Sequence, residues 1–220
     1  MERIPEPELM DEKEAALAYD AADFSQPHEA FVDHFARLFP DFQTGLVLDL
    51  GCGTSDIAMR FAKRYPKTTV IALDGARAML EIARLNIAQC NLNDRIQLVH
   101  AHLPMTGLAL PLFDAVICNS LLHHLANPLI LWQTITKNAK TNAPFLVMDL
   151  LRPQAPEDAR KLVQQYASDA PKRLQEDFYA SLLAAYTIDE VKKQLQGIPF
   201  ATVHIQTVSD RHFVVWGYTS

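Results

Sequence analysis

The residues best suited to chemistry fall in three places along the chain. The first is Gly45–Asp56, GLVLDLGCGTSD, where Asp49, Gly51 and Gly53 stand at alternate positions. Leu46, Val47, Leu48 and Leu50 form a short apolar run around Asp49, and the glycines follow at once. Thr54, Ser55 and Asp56 are placed to cap a helix whose apolar positions continue through Ile57, Met59 and Phe61. A buried strand that ends in a Gly-rich turn and opens a helix is the nucleotide-binding corner of an open α/β sheet. Glycine suits such a turn because a Cβ would hold a ligand off the backbone and because the turn demands positive φ. The second place is Asp74, which ends the run TTVIAL and lies 23 residues beyond Gly51. That is near the spacing of about 20 expected of an acid that accepts from ribose hydroxyls. The other reading of Asp74 is an N-cap for a helix over 75–89. The third place is the pair His123-His124, whose ring pKa suits proton removal at neutral pH. Adjacent residues on a helix point about 100° apart, so the two rings are not expected to face one site. The pair is therefore weak evidence for a metal, and no metal is called for.

Two cofactors fit the glycine corner. A dinucleotide site wants Gly-x-Gly-x-x-Gly/Ala, but the third small position is Asp56, whose carboxylate would repel a pyrophosphate. An NAD-dependent oxidoreductase is disfavoured for that reason. The frame reads instead as Asp-x-Gly-x-Gly-x-Ser from Asp49 to Ser55. It resembles motif I of class I S-adenosylmethionine (SAM) methyltransferases, with Ser55 where a third glycine often stands. The resemblance implies SAM as cofactor and S-adenosylhomocysteine as product. It also implies a cofactor-binding set of Asp49, Gly51, Cys52, Gly53, Asp74, Gly75, Met79, Ala101, His102, Leu103 and Asn119. In that set Asp49 orients the loop or the cofactor's ammonium, and Asp74 holds the ribose. Met79 lies against adenine or simply in the core. His102 stands where related enzymes carry Asp or Asn for the adenine amino group, and the backbone of Leu103 also borders adenine.

The acceptor side is read from the ends of strands four and five. Asn119-Ser120-Leu121-Leu122 lacks the prolines and stacking aromatic of the Asn/Asp-Pro-Pro-Tyr/Phe motif, which argues against a flipped base or a glutamine amide. Leu121-Leu122-His123-His124-Leu125 resembles the segment after strand four in small-molecule methyltransferases of the ubiquinone-biosynthesis type. His124, with His123 second, is the expected general base. Tyr19, Arg152 and Tyr179 are the candidate substrate contacts, with Phe178 and Tyr186 further candidates for the acceptor pocket. For Tyr19 and Tyr179 ordinary packing is an equal reading, and for Arg152 an internal salt bridge with Asp149 is the better one. Three function classes stay open: a methyltransferase for a small-molecule acceptor, a non-catalytic SAM-binding subunit or sensor, and a SAM-modifying enzyme of the carboxy-SAM synthase kind.

These residues need a scaffold. The pattern predicts an α/β fold: a Rossmann-like, seven-stranded, mostly parallel sheet with a C-terminal antiparallel strand and helices on both faces. One domain over 1–220 is expected, with 1–44 a helical cover (1–10 a loose arm), 45–150 the SAM-binding core, 151–197 a helical insertion over the acceptor site and 198–220 a closing hairpin. Two helices are expected ahead of the first strand, over 11–24 and 28–39, with Ser25-Gln26-Pro27 as a break between them. Thr187 and Glu190 are expected to form a capping box on the last helix. The chain has 220 residues, formal net charge −6 and three cysteines without CxxC spacing. It offers no basic run for a nucleic-acid backbone. It also has no stretch approaching the roughly 20 apolar residues of a membrane span, so a cytoplasmic protein, with homodimerisation compatible, is expected.

Overall fold

The computed structural model describes residues 1–6, 11–105 and 107–220. The rest of the expected loose arm, 7–10, lies outside them. Seven strands form one sheet in the order β3-β2-β1-β4-β5-β7-β6. They are β1 (Thr44–Leu50), β2 (Lys67–Asp74), β3 (Ile96–His100), β4 (Ala115–Asn119), β5 (Pro144–Leu150), β6 (Phe200–Thr207) and β7 (His212–Thr219). β1 to β5 pair in parallel, and β7 runs antiparallel to both β5 and β6. The chain order therefore reverses between β1 and β4, and the carboxyl ends of those strands flank the switch point, where an open α/β sheet binds its ligands.

Alternation along the strands sends side chains to two cores. On one face Val47, Val70, Ala115, Ile117 and Leu146 meet the helices α2 (Ser25–Leu38) and α3 (Asp56–Arg64). There Phe35 packs edge-on against Phe61 at 4.8 Å between ring centroids. On the other face Leu48, Leu50, Val116, Phe145 and Val147 meet Leu131, Trp132 and Ile135 of α5 (Leu129–Asn138). The buried Trp132 indole donates to Gln194 Oε1 at 3.1 Å, which satisfies both polar groups. Gln194 lies on α8 (Ile188–Leu195), whose Thr187–Glu190 capping box is present.

Two covers flank the carboxyl end of the sheet. α1 (Lys13–Asp20) sets Ala16 against Ala76, Met79 and Ile82, the last two on α4 (Arg77–Gln89). α6 (Pro156–Ala167) and α7 (Lys172–Ala184) pack on one another between β5 and α8.

Three local expectations are corrected. Ser25-Gln26-Pro27 is the first turn of α2 rather than a break, because proline is tolerated where the helix N–H groups have no acceptor. α3 starts at Asp56 and has no side-chain cap. Ser55 sits at φ +67°, a left-handed conformation that cannot present a capping oxygen to the helix. Residues 1–6 are docked rather than loose. The Met1 ammonium donates to Gln154 O at 3.0 Å, Ile4 N to Leu183 O at 3.0 Å and Arg3 Nη2 to His123 O at 2.7 Å. The Arg3 guanidinium also lies 4.2 Å from the centre of the Tyr186 ring, a cation–π contact.

Candidate functional site

The Gly51–Gly53 turn is pinned to the neighbouring strand. Gly51 N and Cys52 N both donate to Leu73 O, at 2.8 and 3.0 Å. Gly51 has φ +71°, and a Cβ there would come within 3.0 Å of Leu121. Gly53 has φ +53°, and its missing Cβ would point into open space. Ser55, at the position of the usual third glycine, also adopts positive φ. The turn keeps the geometry of a three-glycine loop with serine in the last place.

Asp74 ends β2 and completes the turn. Its Oδ2 accepts from Gly53 N at 2.8 Å and its Oδ1 from Ala76 N at 2.8 Å. Burial pushes its pKa up, while the N–H groups of Ala76, Gly53 and Gly75 pull it back. Asp49, one strand over, is fully buried, and its Oδ2 accepts no hydrogen bond among the described residues. Burial, with Asp74 adding repulsion, pushes the Asp49 carboxyl up to about 7. A buried carboxylate oxygen without a donor is costly, and a cationic ligand group is the partner that would relieve it.

These groups share one cavity of about 800 Å³, within the usual range for cofactor sites. Each of the eleven expected cofactor residues lines it: Asp49, Gly51, Cys52, Gly53, Asp74, Gly75, Met79, Ala101, His102, Leu103 and Asn119. Asn119 turns its Nδ2 to Ser120 Oγ at 3.0 Å, and its buried Oδ1 accepts no hydrogen bond among the described residues. His102 is exposed at the rim. Asp56, which would have met a pyrophosphate, is held by His28 Nδ1 at 2.7 Å and Arg60 Nε at 2.8 Å.

Tyr19 of α1 lines the same cavity. Burial, together with the nearby Asp56 and Asp74, pushes its hydroxyl up to about 12, so it stays protonated at neutral pH. The other two expected substrate contacts lie elsewhere. Arg152 is absent from the cavity wall: its Nη2 binds Glu190 Oε1 at 2.7 Å and its Nη1 binds Ala185 O at 3.3 Å. Its partner is Glu190 of α8 rather than Asp149. Tyr179 turns away toward Arg160, and its neighbour Phe178 faces the cavity instead. Adjacent residues of a helix face different ways, and the sequence offers no sign of which one turns inward.

His123 and His124 both line the cavity, from a single 3-10 turn over Leu122–His124. Contrary to the expectation from an α-helix, their rings lie together, with centroids 4.2 Å apart. His123 Nδ1 binds Asp149 Oδ1 at 2.5 Å, and Asp149 Oδ2 accepts from Leu122 N at 2.7 Å. Burial opposes charge on the His123 ring, yet Asp149 and Glu6 raise its pKa above the ordinary value. Glu6, from the docked arm, brings its Oε1 within 3.4 Å of His123 Nε2 and 3.3 Å of His124 Nδ1.

Sequence reasoning missed Glu6, His28 and His212. His212 lines the cavity with its ring pKa pushed down to about 4, by burial first and Arg211 second. No spacing motif marks these residues, because only the packing of α2, β7 and the arm brings them to the site.

Sheet order, glycine turn and strand-end acids together define a Rossmann-like fold of the class I methyltransferase type. Residues 47–142 match the family described as a methyltransferase domain. Among solved structures, a SAM-dependent methyltransferase from Methanococcus maripaludis superposes with TM-score 0.71 at 17% identity, covering 99% of this chain and 98% of that one. The plantazolicin methyltransferase BpumL, bound to a desmethylplantazolicin analogue and S-adenosylhomocysteine, superposes with TM-score 0.70 at 12% identity, covering 94% and 90%. At those identities the likeness is one of fold. A release factor glutamine methyltransferase of Caulobacter vibrioides is 33% identical over 91 residues, 41% of this chain and 31% of that protein. An uncharacterized methyltransferase of Mycobacterium bovis is 37% identical over 102 residues, 46% of this chain and 49% of that protein. The chain thus spans about 31% and 49% of the lengths of these two curated relatives. Among the described residues no helix is long and apolar enough to cross a membrane.

Proposed function

We propose that this chain is a SAM-dependent methyltransferase acting on a small-molecule acceptor. The observation that carries the reading is the buried Asp49 Oδ2, which accepts no hydrogen bond among the described residues, in the same cavity as Asp74 and the open side of Gly53. Asp49 would hold the methionine ammonium, Asp74 the ribose hydroxyls through the free lone pairs of its two oxygens, and Ala101–Leu103 the adenine edge. The bound cofactor supplies an activated methyl group on a sulfonium. The protein's own part is alignment of an acceptor in line with that methyl and exclusion of water.

The far wall of the cavity supports a small acceptor. Leu174 and Phe178 of α7, with Tyr166 of α6, close it over the ends of β4 and β5. The segment Asn119–Leu122 offers no aromatic platform for a base or a glutamine amide. An acceptor that must lose a proton would lose it at the His123–His124 wall, where His124 is the more accessible ring, 19% exposed against 3% for His123. Asp149 occupies the other nitrogen of His123.

Calorimetric titration of SAM and S-adenosylhomocysteine into the purified chain tests this. One-to-one binding that Asp74→Ala abolishes is the expected result. Absence of binding by folded protein free of copurified cofactor overturns the reading.

A further inference from the structure

We infer that Glu6, His123 and His124 form a binding site for a divalent transition-metal cation of the zinc class, on the acceptor side of the cavity. The three side chains each present one ligand atom, and these atoms all lie within 4.8 Å of one another. Glu6 Oε1 stands 3.4 Å from His123 Nε2 and 3.3 Å from His124 Nδ1. Those separations exceed the usual 2.7–3.2 Å of an N–H···O hydrogen bond. They match the edge of a tetrahedron around an ion with bonds of about 2.0–2.1 Å, which is roughly 3.4 Å.

The surroundings are those of a metal centre. His123 Nδ1 is engaged by Asp149, leaving Nε2 as the ligand nitrogen. A carboxylate behind a histidine fixes the ring and raises its basicity, the usual arrangement behind a metal-bound imidazole. Asp149 is itself oriented by the backbone N–H groups of Leu122 and Leu150, both at 2.7 Å. Glu6 is fixed on its second oxygen, since Ser181 Oγ donates to Oε2 at 3.3 Å. Its first oxygen is buried and accepts no hydrogen bond among the described residues. The nearby Arg3 guanidinium is spent on the carbonyls of Ala184, His123 and Leu125.

Two imidazoles and one carboxylate are the donor set of a zinc site that keeps a fourth position open. His123 and His124 line the cavity, so the open position belongs to water or to an acceptor oxygen. An ion held there would lower the pKa of that oxygen and ease its deprotonation. It also clips residues 1–6 to the cavity wall, because one of its three ligands comes from the arm.

The test is titration of ZnCl2 into the tag-free, chelator-treated 220-residue chain, followed by calorimetry and by the visible spectrum after loading with Co2+. One-to-one binding, a tetrahedral Co2+ spectrum and a rise in melting temperature with Zn2+ are expected. Glu6→Gln and His124→Ala, with unchanged circular dichroism, should each weaken binding by more than about 100-fold. Absence of one-to-one Zn2+ binding by the wild type overturns the inference, as does an octahedral Co2+ spectrum. So does unaltered affinity in both variants. The measurement needs neither cofactor nor methyl transfer, so it is decided separately from the proposed activity. The wild-type spectrum is decisive even if a variant fails to fold.

Discussion

Gly53 N donates to Asp74 Oδ2 at 2.8 Å, so the acid that ends β2 holds the tip of the glycine turn that follows β1. One carboxylate thereby sets the shape of the turn and closes one side of the proposed ribose subsite. Asp74→Asn keeps an acceptor for Gly53 N but removes the charge and one acceptor lone-pair set. Charged hydrogen bonds are worth about 1.5–3 kcal/mol each. The expected result by calorimetry is S-adenosylhomocysteine affinity at least tenfold weaker, with a melting temperature lowered by only a few degrees because the single Asn oxygen serves one of the two N–H groups of Gly53 and Ala76. A melting temperature that collapses with affinity would make Asp74 a structural residue first.

Asp49 predicts a pH dependence. Its carboxyl titrates at about 7 in the fold, against 3.8 for an unperturbed aspartate. Below that point the proton must leave when a cationic ammonium binds. Cofactor affinity should fall by about tenfold per pH unit as pH drops below 7, and level off above it. Calorimetry in buffers of different ionisation enthalpy should detect one proton released at pH 6 and none at pH 8.5.

The same shift bears on stability. Between about 4 and 7 the native state holds a proton on Asp49 that the unfolded chain has released, so Asp49 lowers stability as pH rises through that window. Asp49→Asn should therefore melt higher than wild type at pH 8, and the gain should vanish near pH 4. Cofactor binding should be lost at both pH values. Thermal melts across pH, with and without S-adenosylhomocysteine, give the readout.

Ser55 adopts φ +67°, and a left-handed conformation costs a residue other than glycine about 1–2 kcal/mol. Ser55→Gly removes that strain, and the greater freedom of glycine in the unfolded chain returns about 0.5–1 kcal/mol of it. The expected melting temperature is unchanged to a few degrees higher, with cofactor affinity within about threefold of wild type. A drop of more than about 5 °C would show that the serine side chain is needed.

Arg152 is bound to Glu190 and Ala185 away from the cavity. Arg152→Met should cost about 1–3 kcal/mol of stability, read by urea unfolding. Affinity for S-adenosylhomocysteine should stay within twofold. A selective loss of binding with stability intact would return Arg152 to the site.

Where the signal lies within a few neighbouring residues, the sequence was informative. Asp49-x-Gly51-x-Gly53 between an apolar run and an amphipathic helix can only be a strand, a tight turn and a helix. The capping box at Thr187 and Glu190 is equally local, since both partners sit in one turn. The third position of the glycine loop was legible as a departure, though not the left-handed conformation that Ser55 adopts there.

Tertiary structure alone decided the acceptor wall. His123 and His124 are read as diverging if their turn is an α-helix. In the fold they end a 3-10 turn held by Asp149 from β5, and Glu6 arrives from the docked N-terminal arm. Arg152 chose Glu190 over its near neighbour Asp149 because α8 folds back beside the end of β5 while Asp149 is already taken by His123. Strand, turn and cap follow from backbone sterics and short-range pairing, which the order of residues carries directly. Which side chains meet across 117 positions, as Glu6 and His123 do, depends on how the sheet closes and how the arm packs against it. No local pattern records that choice.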